Sequence, residues 1–461
     1  MNASSSSTAV ALNRFGLGVR ADEAAPGDAK AWLLNQFERY DKLPAAWAAE
    51  PKSDTLVVQY VDYQRSLRQA RASNELGLRQ KLAGQAQERY RSAVNARVAT
   101  ALTTPAPFIE RLVHFWANHF AVSTDKNPIG LLAGAFEAEA IRPHVLGRFE
   151  NLLGAAERHP AMLLYLDQVR SIGPESTVAQ RRALANPNAQ RGLNENLARE
   201  ILELHTLGVR SGYAQGDVTE FARALTGWTV AGLPGVPPGG ADGVFTFQNA
   251  MHERGTRSVL GRSYEQRGEA QAQAILHDLA TAPATARHIA TKLARHFVAD
   301  LPPPALVDRL AASFQRSGGD LPSVYRALIE APEAWAASAP KFKTPWEWTI
   351  STLRGLGQRE PGARPIAQTL QQLGQPVWRP GSPAGYDDVA DSWAAPDSLM
   401  RRVEVAQRFA AQTDGSVDAR ALGPLLLPAG LSEATTRTIA RAESPATALA
   451  LLLVSPEFLR R

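Results

Sequence analysis

Cysteine is missing from the 461-residue chain. Without a thiol there is no disulfide, no zinc-finger or iron–sulfur site built on thiolates, and no cysteine nucleophile. Long hydrophobic runs are missing too, since no apolar stretch approaches the roughly 18–20 residues needed to cross a bilayer. Charge of one sign is scarce: 50 Lys+Arg against 45 Asp+Glu leave a formal +5, too mild over this length to argue for nucleic acid. Absent as well are the phosphate-binding Gly-x-x-x-x-Gly-Lys-Ser/Thr loop, the Gly-x-Ser-x-Gly elbow, the His-Glu-x-x-His zinc pattern and a dinucleotide glycine pattern behind a strand. Kinases, P-loop enzymes, dehydrogenases, α/β hydrolases and zinc hydrolases of that type therefore fit poorly. The stretch from Met1 to Thr8 has no basic start and no apolar signal core. As it stands the chain reads as cytoplasmic, with a periplasmic or secreted location if the true start is different.

Hydrophobic residues make up 44% and charged residues 21%, the balance of a folded globular chain of roughly two or three structural units. Ala, Leu and Arg, all good helix formers, dominate, and β-branched runs are nearly absent. Apolar residues at three- and four-residue steps predict helices over 54–103, stopped by Thr103-Thr104-Pro105-Ala106-Pro107, then over 108–121 and 130–141. His159-Pro160 opens a short helix through 161–169. Residues 171–193 read as a mobile loop. Asn194 is the expected N-cap of a helix over 195–207, with Gly208 at its end. Asp217 and Glu220 have capping-box spacing ahead of 218–225. A Gly/Pro loop over 231–243 precedes the one convincing β signal, at 243–247, 251–255 and 258–260, read as a small hairpin or ribbon. Helices resume from 285 to about 356, are interrupted by a Pro/Gly/Trp stretch over 374–393, and then continue. The expected architecture is all-α: an irregular multi-helix bundle with one small β-hairpin insertion.

The densest polar cluster runs from Asn194 to Gly208. On a regular helix Asn196, Glu200 and Glu203 share one stripe beside Leu197, Ile201 and Leu204. Two carboxylates next to an apolar stripe must be paired, protonated or bound to a cation. That makes Glu200 and Glu203 candidates for base or cation ligand, with His205 and His119 as proton partners. The alternative is a structural ion-pair network held by Arg199 and Arg223. A second cluster, Glu110 to Phe120, sets Glu110, His114 and Asn118 at four-residue steps and His119 on an aromatic face. A third is basic: Arg287, His288, Lys292, Arg295 and His296 spread over a wide helix face, suited to a phosphate, a sulfate or an acidic polymer, or to plain solvation. Trp378, Tyr386 and Trp393 either form a stacking platform or pin a long loop to the core.

Several blocks carry a resemblance. They are Asn13-Arg14-Phe15-Gly16-Leu17-Gly18, Phe115-Trp116-Ala117-Asn118-His119-Phe120, and the run from His159 to Asp167. Asn194-Glu195-Asn196-Leu197-Ala198-Arg199-Glu200, Leu204-His205-Thr206-Leu207-Gly208, Gly212-Tyr213, Ala224-Leu225-Thr226-Gly227-Trp228 and Ser455-Pro456-Glu457-Phe458 continue it. In this order they resemble the bacterial family called domain of unknown function 1800, from about residue 9 to 461. The resemblance implies one family-wide helical unit over 1–461, with sub-regions 1–170, 171–265 and 266–461. It also implies candidate positions and, as a partner, a sulfatase-like neighbouring gene product; it brings no established reaction. The family's His-Asp-x-Gly block stands here as His252-Glu253-Arg254-Gly255. The polar centre is thus expected to join His119, Glu200, Glu203 and His205 with Asp167, Asn194, Asn196, Arg199, His252 and Lys292 as ligand-binding candidates. Metal and cofactor stay unassigned. The loops 171–193 and 231–243 are its expected gates.

Overall fold

The computed structural model describes residues 3–74, 76–185, 192–336, 341–362, 365–413 and 415–461. Helices dominate, joined by two small two-stranded antiparallel sheets, which is an all-α fold with a small β insertion. The pattern over 54–103 is split into α1 (Ser53–Ala72) and α2 (Leu76–Thr103). After the Thr/Pro stop comes α3 (Pro107–His119), whose first residue is a proline, the helical position where a fixed φ and a missing N–H cost least. Nearly every residue of α3 is buried. Its apolar side chains supply the surface a buried helix needs, each large one worth about 1.5–3 kcal/mol when removed from water. Its polar ones need partners.

The middle of the chain differs in detail from the sequence pattern. Helix α4 (Phe149–Arg158) leads into the short helix Pro160–Tyr165, where His159 Nδ1 accepts the Ala161 N–H at 3.1 Å. The expected loop over 171–193 holds a helix at Thr177–Ala185, and residues 186–191 lie outside the described residues. The backbone N–H groups of Gly173 and Val178 bond to Met251 and Ala250, and that of Glu175 bonds to the Glu253 carboxylate at 2.8 Å. These bonds tie residues 173–178 to the 250–253 turn.

Asn194 Oδ1 accepts the Asn196 N–H at 2.9 Å, but the residue at the cap of the helix is Glu195, one position later than expected. That helix, α5 (Asn196–Glu200), then widens into a π turn at Ile201–His205. The capping-box helix starts earlier than its spacing suggested: it is α6 (Gln215–Leu225), with Asp217 on its first turn accepting the Ala214 N–H at 2.8 Å.

The β insertion consists of two ribbons. β1 (Trp228–Val230) pairs with β2 (Phe245–Phe247), and β3 (Arg257–Val259) pairs with β4 (Arg262–Tyr264). The 231–243 loop is the connection that brings β2 back to β1. Residues 251–255 form no strand.

Helix α7 (Pro283–Phe297) packs against the helix Pro304–Ser317. Helix α8 (Pro345–Gly355) is buried on all sides and stands between two hydrophobic cores. Trp346, Ile350 and Leu353 join the large core built on the first three-quarters of the chain, while Trp348 joins a second core among the last helices. There Pro396–Ala411 packs on Pro445–Leu453. The Trp348 indole N–H meets the Leu453 carbonyl at 2.8 Å, which avoids the roughly 1–3 kcal/mol cost of an unmet buried donor. Among the described residues no helix is long and apolar enough to cross a membrane.

Candidate functional site

On α7 the residues His288, Lys292 and His296 recur at four-residue steps and share one stripe, with Ile289, Leu293 and Phe297 buried on the neighbouring one. The polar stripe lines a cavity of about 310 Å³, at the small end of ligand pockets, which run roughly 300–1,000 Å³. Facing α7 are Arg111, His114, Asn118 and His119 of α3, Glu203 of the π turn, Trp346 and Glu347 at the start of α8, and Trp378, Tyr386 and Asp388 of the 374–393 stretch.

That long stretch is fixed to α3 by one side chain. Asn118 donates to the Tyr386 carbonyl at 2.9 Å and accepts the Tyr386 N–H at 2.8 Å, as a paired strand would. Gly385, with φ +83°, lets the backbones approach, because a Cβ there would collide with the Asn118 carbonyl. Trp378 donates to Glu137 at 2.9 Å and Tyr386 to the Pro376 carbonyl at 2.6 Å. The aromatics thus pin the loop, and two of them become cavity wall.

The π turn sets the imidazoles. Its widened spacing leaves carbonyls without backbone partners, and side chains take them up. His288 Nε2 lies 3.0 Å from the Leu204 carbonyl and His119 Nε2 lies 3.1 Å from the His205 carbonyl. A carbonyl only accepts, so each Nε2 carries the proton and each Nδ1 keeps its lone pair. His119 Nδ1 is buried with no partner among the described residues. Burial, reinforced by the Lys292 charge, holds His119 well below the usual histidine range and His288 at about 4. Both are neutral at pH 7. Gly208, with φ +93°, permits this contact, since a Cβ would lie 2.8 Å from His288 Nδ1.

His296 has the opposite orientation. Its Nδ1 meets Asp388 Oδ2 at 2.5 Å, and its Nε2 is free of any partner among the described residues. Burial works to raise the Asp388 carboxyl, yet His296, Lys341 and Arg461 together hold it at about 2. Burial lowers His296 against the opposing pull of Asp388. The result is a neutral imidazole, aligned by a carboxylate, whose second nitrogen is buried and unpartnered among the described residues.

The wall cations differ from one another. Arg97 pairs with Glu137 at 3.0 Å, and Arg111 pairs closely with Glu347. Lys292 has no hydrogen bond or ion pair among the described residues, and burial pushes its amine down to about 8. Arg295 meets a backbone carbonyl, that of Asp300 at 3.2 Å, and no carboxylate. On the acidic side Glu203 has no ion pair among the described residues. Among the described residues no three His, Asp or Glu side chains gather closely enough to hold a metal ion.

Residues 10–460 match the family described as Protein of unknown function (DUF1800). The chain belongs to DUF1800. No curated protein and no solved structure matches it.

Of the positions nominated from sequence in this DUF1800 chain, three meet at the cavity: His119, Glu203 and Lys292. The others are placed elsewhere. His205 lies behind the wall, fully buried, with Nδ1 2.7 Å from Glu157 of α4. Glu200 is half-buried beside Tyr165, its carboxyl raised by burial. The π turn separates it from Glu203, because the wider turn rotates residue 203 off the stripe a regular helix would give. Asp167 pairs with Lys126 at 2.6 Å, Arg199 with Glu195 at 3.2 Å, and Asn194 bonds the Leu166 carbonyl at 3.0 Å. Asn196 is exposed. His252 Nδ1 bonds the Thr226 carbonyl at 2.9 Å under Phe247. Among the described residues, neither expected gate contributes a wall residue.

Sequence reasoning missed Asp388 and Glu347 altogether. It saw the basic helix but not its direction: His288, Lys292, Arg295 and His296 line the cavity, while Arg287 stays outside, bound to Asp308 at 2.7 Å. The repeat at 288, 292 and 296 was the available signal.

Proposed function

We propose that the cavity is the acid/base site of a small-molecule enzyme, which receives an organic molecule bearing an anionic group and moves a proton on it. One observation carries this reading: the Asp388–His296 pair shares a wall with two cations, Lys292 and Arg295, that no carboxylate contacts among the described residues. Other buried cations also lack a carboxylate, among them Lys343, Arg354 and Arg402, but those three line no part of the cavity. A ligand anion completes what the chain leaves open, and His296 Nε2 is the base that works on it. The size of the space favours a small molecule over a polymer. Four of the five basic side chains of that helix line the cavity, which favours this reading over docking of a partner protein or acidic polymer on the helix.

The test is thermal unfolding with phosphate, sulfate and malonate, comparing the natural protein with Arg295→Gln. Near a hundred times Kd, a specific anion stabilises by about 2.7 kcal/mol. Phosphate and sulfate also stabilise proteins generally, so the decisive quantity is the difference between the two proteins. A midpoint shift lost in Arg295→Gln supports the site; equal shifts in both would end the reading.

A further inference from the structure

Lys292 is set apart from the lysines around it. Lys341 is bound by Asp300 at 2.6 Å and by Asp388 at 3.2 Å, and Lys126 by Asp167 at 2.6 Å. Lys343 is also without a hydrogen bond, but it is buried over the Phe458 ring and lines no part of the cavity, so the position on the wall is what distinguishes Lys292. Lys292 is the one lysine on the cavity wall among the described residues, and its amine has no partner there. His288 and His296 stand one turn to either side of it on α7, both as neutral imidazoles. Arg295 lies three residues on, and residues three and four apart on a helix are neighbours. The charged and titrating groups facing the amine from other elements are Asp388 and His119.

Resting on the acid/base reading above, we propose that Lys292 captures a carbonyl compound: an aldehyde or ketone bearing an anionic group enters the cavity and forms an imine on the Lys292 amine, with the anionic group held by Arg295. The neutral amine attacks the carbonyl carbon. A C–N bond forms, the C=O π pair moves to oxygen, and the oxygen takes up a proton while the nitrogen loses one. The resulting carbinolamine loses its hydroxyl and a second nitrogen-bound proton as water, leaving C=N. Amine plus carbonyl gives imine plus water, so no oxidant or reductant is needed. His296 Nε2 takes the proton from nitrogen and returns it to the departing hydroxyl, and Asp388 stabilises the imidazolium formed in between. Burial assists, because it leaves a far larger fraction of Lys292 as free amine near pH 8 than a solvated lysine has.

The experiment traps the imine. The full chain is incubated at pH 8 with glyoxylate and sodium cyanoborohydride, then read by intact mass and peptide mapping. The expected result is one carboxymethyl group, on the peptide containing Lys292, formed before the exposed lysines react. Lys292→Met, checked for native circular dichroism, loses that early adduct. Arg295→Gln slows it by about tenfold, the equivalent of one charged hydrogen bond. Propanal, a neutral aldehyde, labels Lys292 more slowly than glyoxylate. Labelling spread evenly over surface lysines with Lys292 spared would overturn the proposal. Propanal labelling as fast as glyoxylate would overturn the anionic substrate class. If the anion-dependent stabilisation of the preceding section persists while no Lys292 adduct forms, the imine falls and the acid/base site stands.

Discussion

The two ends of α3 handle buried charge in opposite ways. Near its start Glu110 is completely enclosed, with Arg142 reaching it through two nitrogens at 2.7 and 3.0 Å and His114 Nε2 at 3.5 Å. Near its end His119 and its neighbours across the cavity leave an imidazole nitrogen, an amine and a guanidinium without acidic partners among the described residues. A charge matched inside the protein holds elements together and is indifferent to ligands. A charge left open in a cavity weakens the empty fold and gives binding somewhere to act. This contrast, more than any single residue type, separates scaffold from site here.

The largest effect belongs to the closed end. Glu110→Ala strands the Arg142 guanidinium, and loss of one partner from a buried pair costs about 3–5 kcal/mol; a urea midpoint shift of that size is expected, with the anion-dependent stabilisation retained. The pair also titrates. Burial works to raise the Glu110 carboxyl, but Arg142 and His114 bring it from 4.5 down to about 2. A depressed carboxyl contributes stability above its unfolded pKa and loses it as pH falls through the folded one. The natural protein should therefore lose this stability between about pH 4.5 and 2, and Glu110→Ala should not show that part of the slope. A small effect of the substitution would erase the contrast between the ends.

Lys292→Met should have the opposite sign. The methionine removes an amine whose charge the cavity does not match, so stability at pH 7 rises while the glyoxylate adduct disappears. The lysine's folded pKa is depressed from 10.5 to about 8. Between those values the unfolded chain holds more protons, so the natural protein gains stability with rising pH and the advantage of Lys292→Met fades. Unfolding midpoints at pH 7 and pH 10 check this. A destabilised variant at pH 7 would mean that Lys292 has a structural partner and belongs with Glu110.

The sequence disclosed the helices because proline, glycine and capping residues punctuate them, as at Pro105, Asn194 and Gly208. It disclosed the basic residues of α7 but not their direction, since an inward or outward face is decided by segments remote in the chain. The partner of His296 is 92 residues away, and the one that orders His205 is on α4; no local pattern encodes either pair. The Glu200–Glu203 stripe misled for a local reason. Periodicity assumes a regular helix, and the π turn at Ile201–His205 breaks that assumption at the residue that reaches the cavity.

Glu203 offers the finest comparison. It is half-buried, and the Tyr213 hydroxyl, raised by burial and then by this carboxylate, stands beside it. Glu203→Gln keeps the shape and a hydrogen-bonding oxygen, so stability should stay within about 0.5 kcal/mol. Its effect on the ligand should still be measurable. A wall carboxylate repels an anionic guest, so removing its charge should tighten glyoxylate binding, by less than the roughly tenfold that 1.4 kcal/mol represents. Titration of the early adduct against glyoxylate concentration reads this out. The sign is opposite to that of Arg295→Gln, and the two substitutions together report whether the cavity senses the charge of its guest. Should Glu203→Gln instead weaken the fold by several kcal/mol and leave the adduct unchanged, Glu203 would be one more matched charge, and the open end of α3 would shrink to Lys292, Arg295 and the imidazoles.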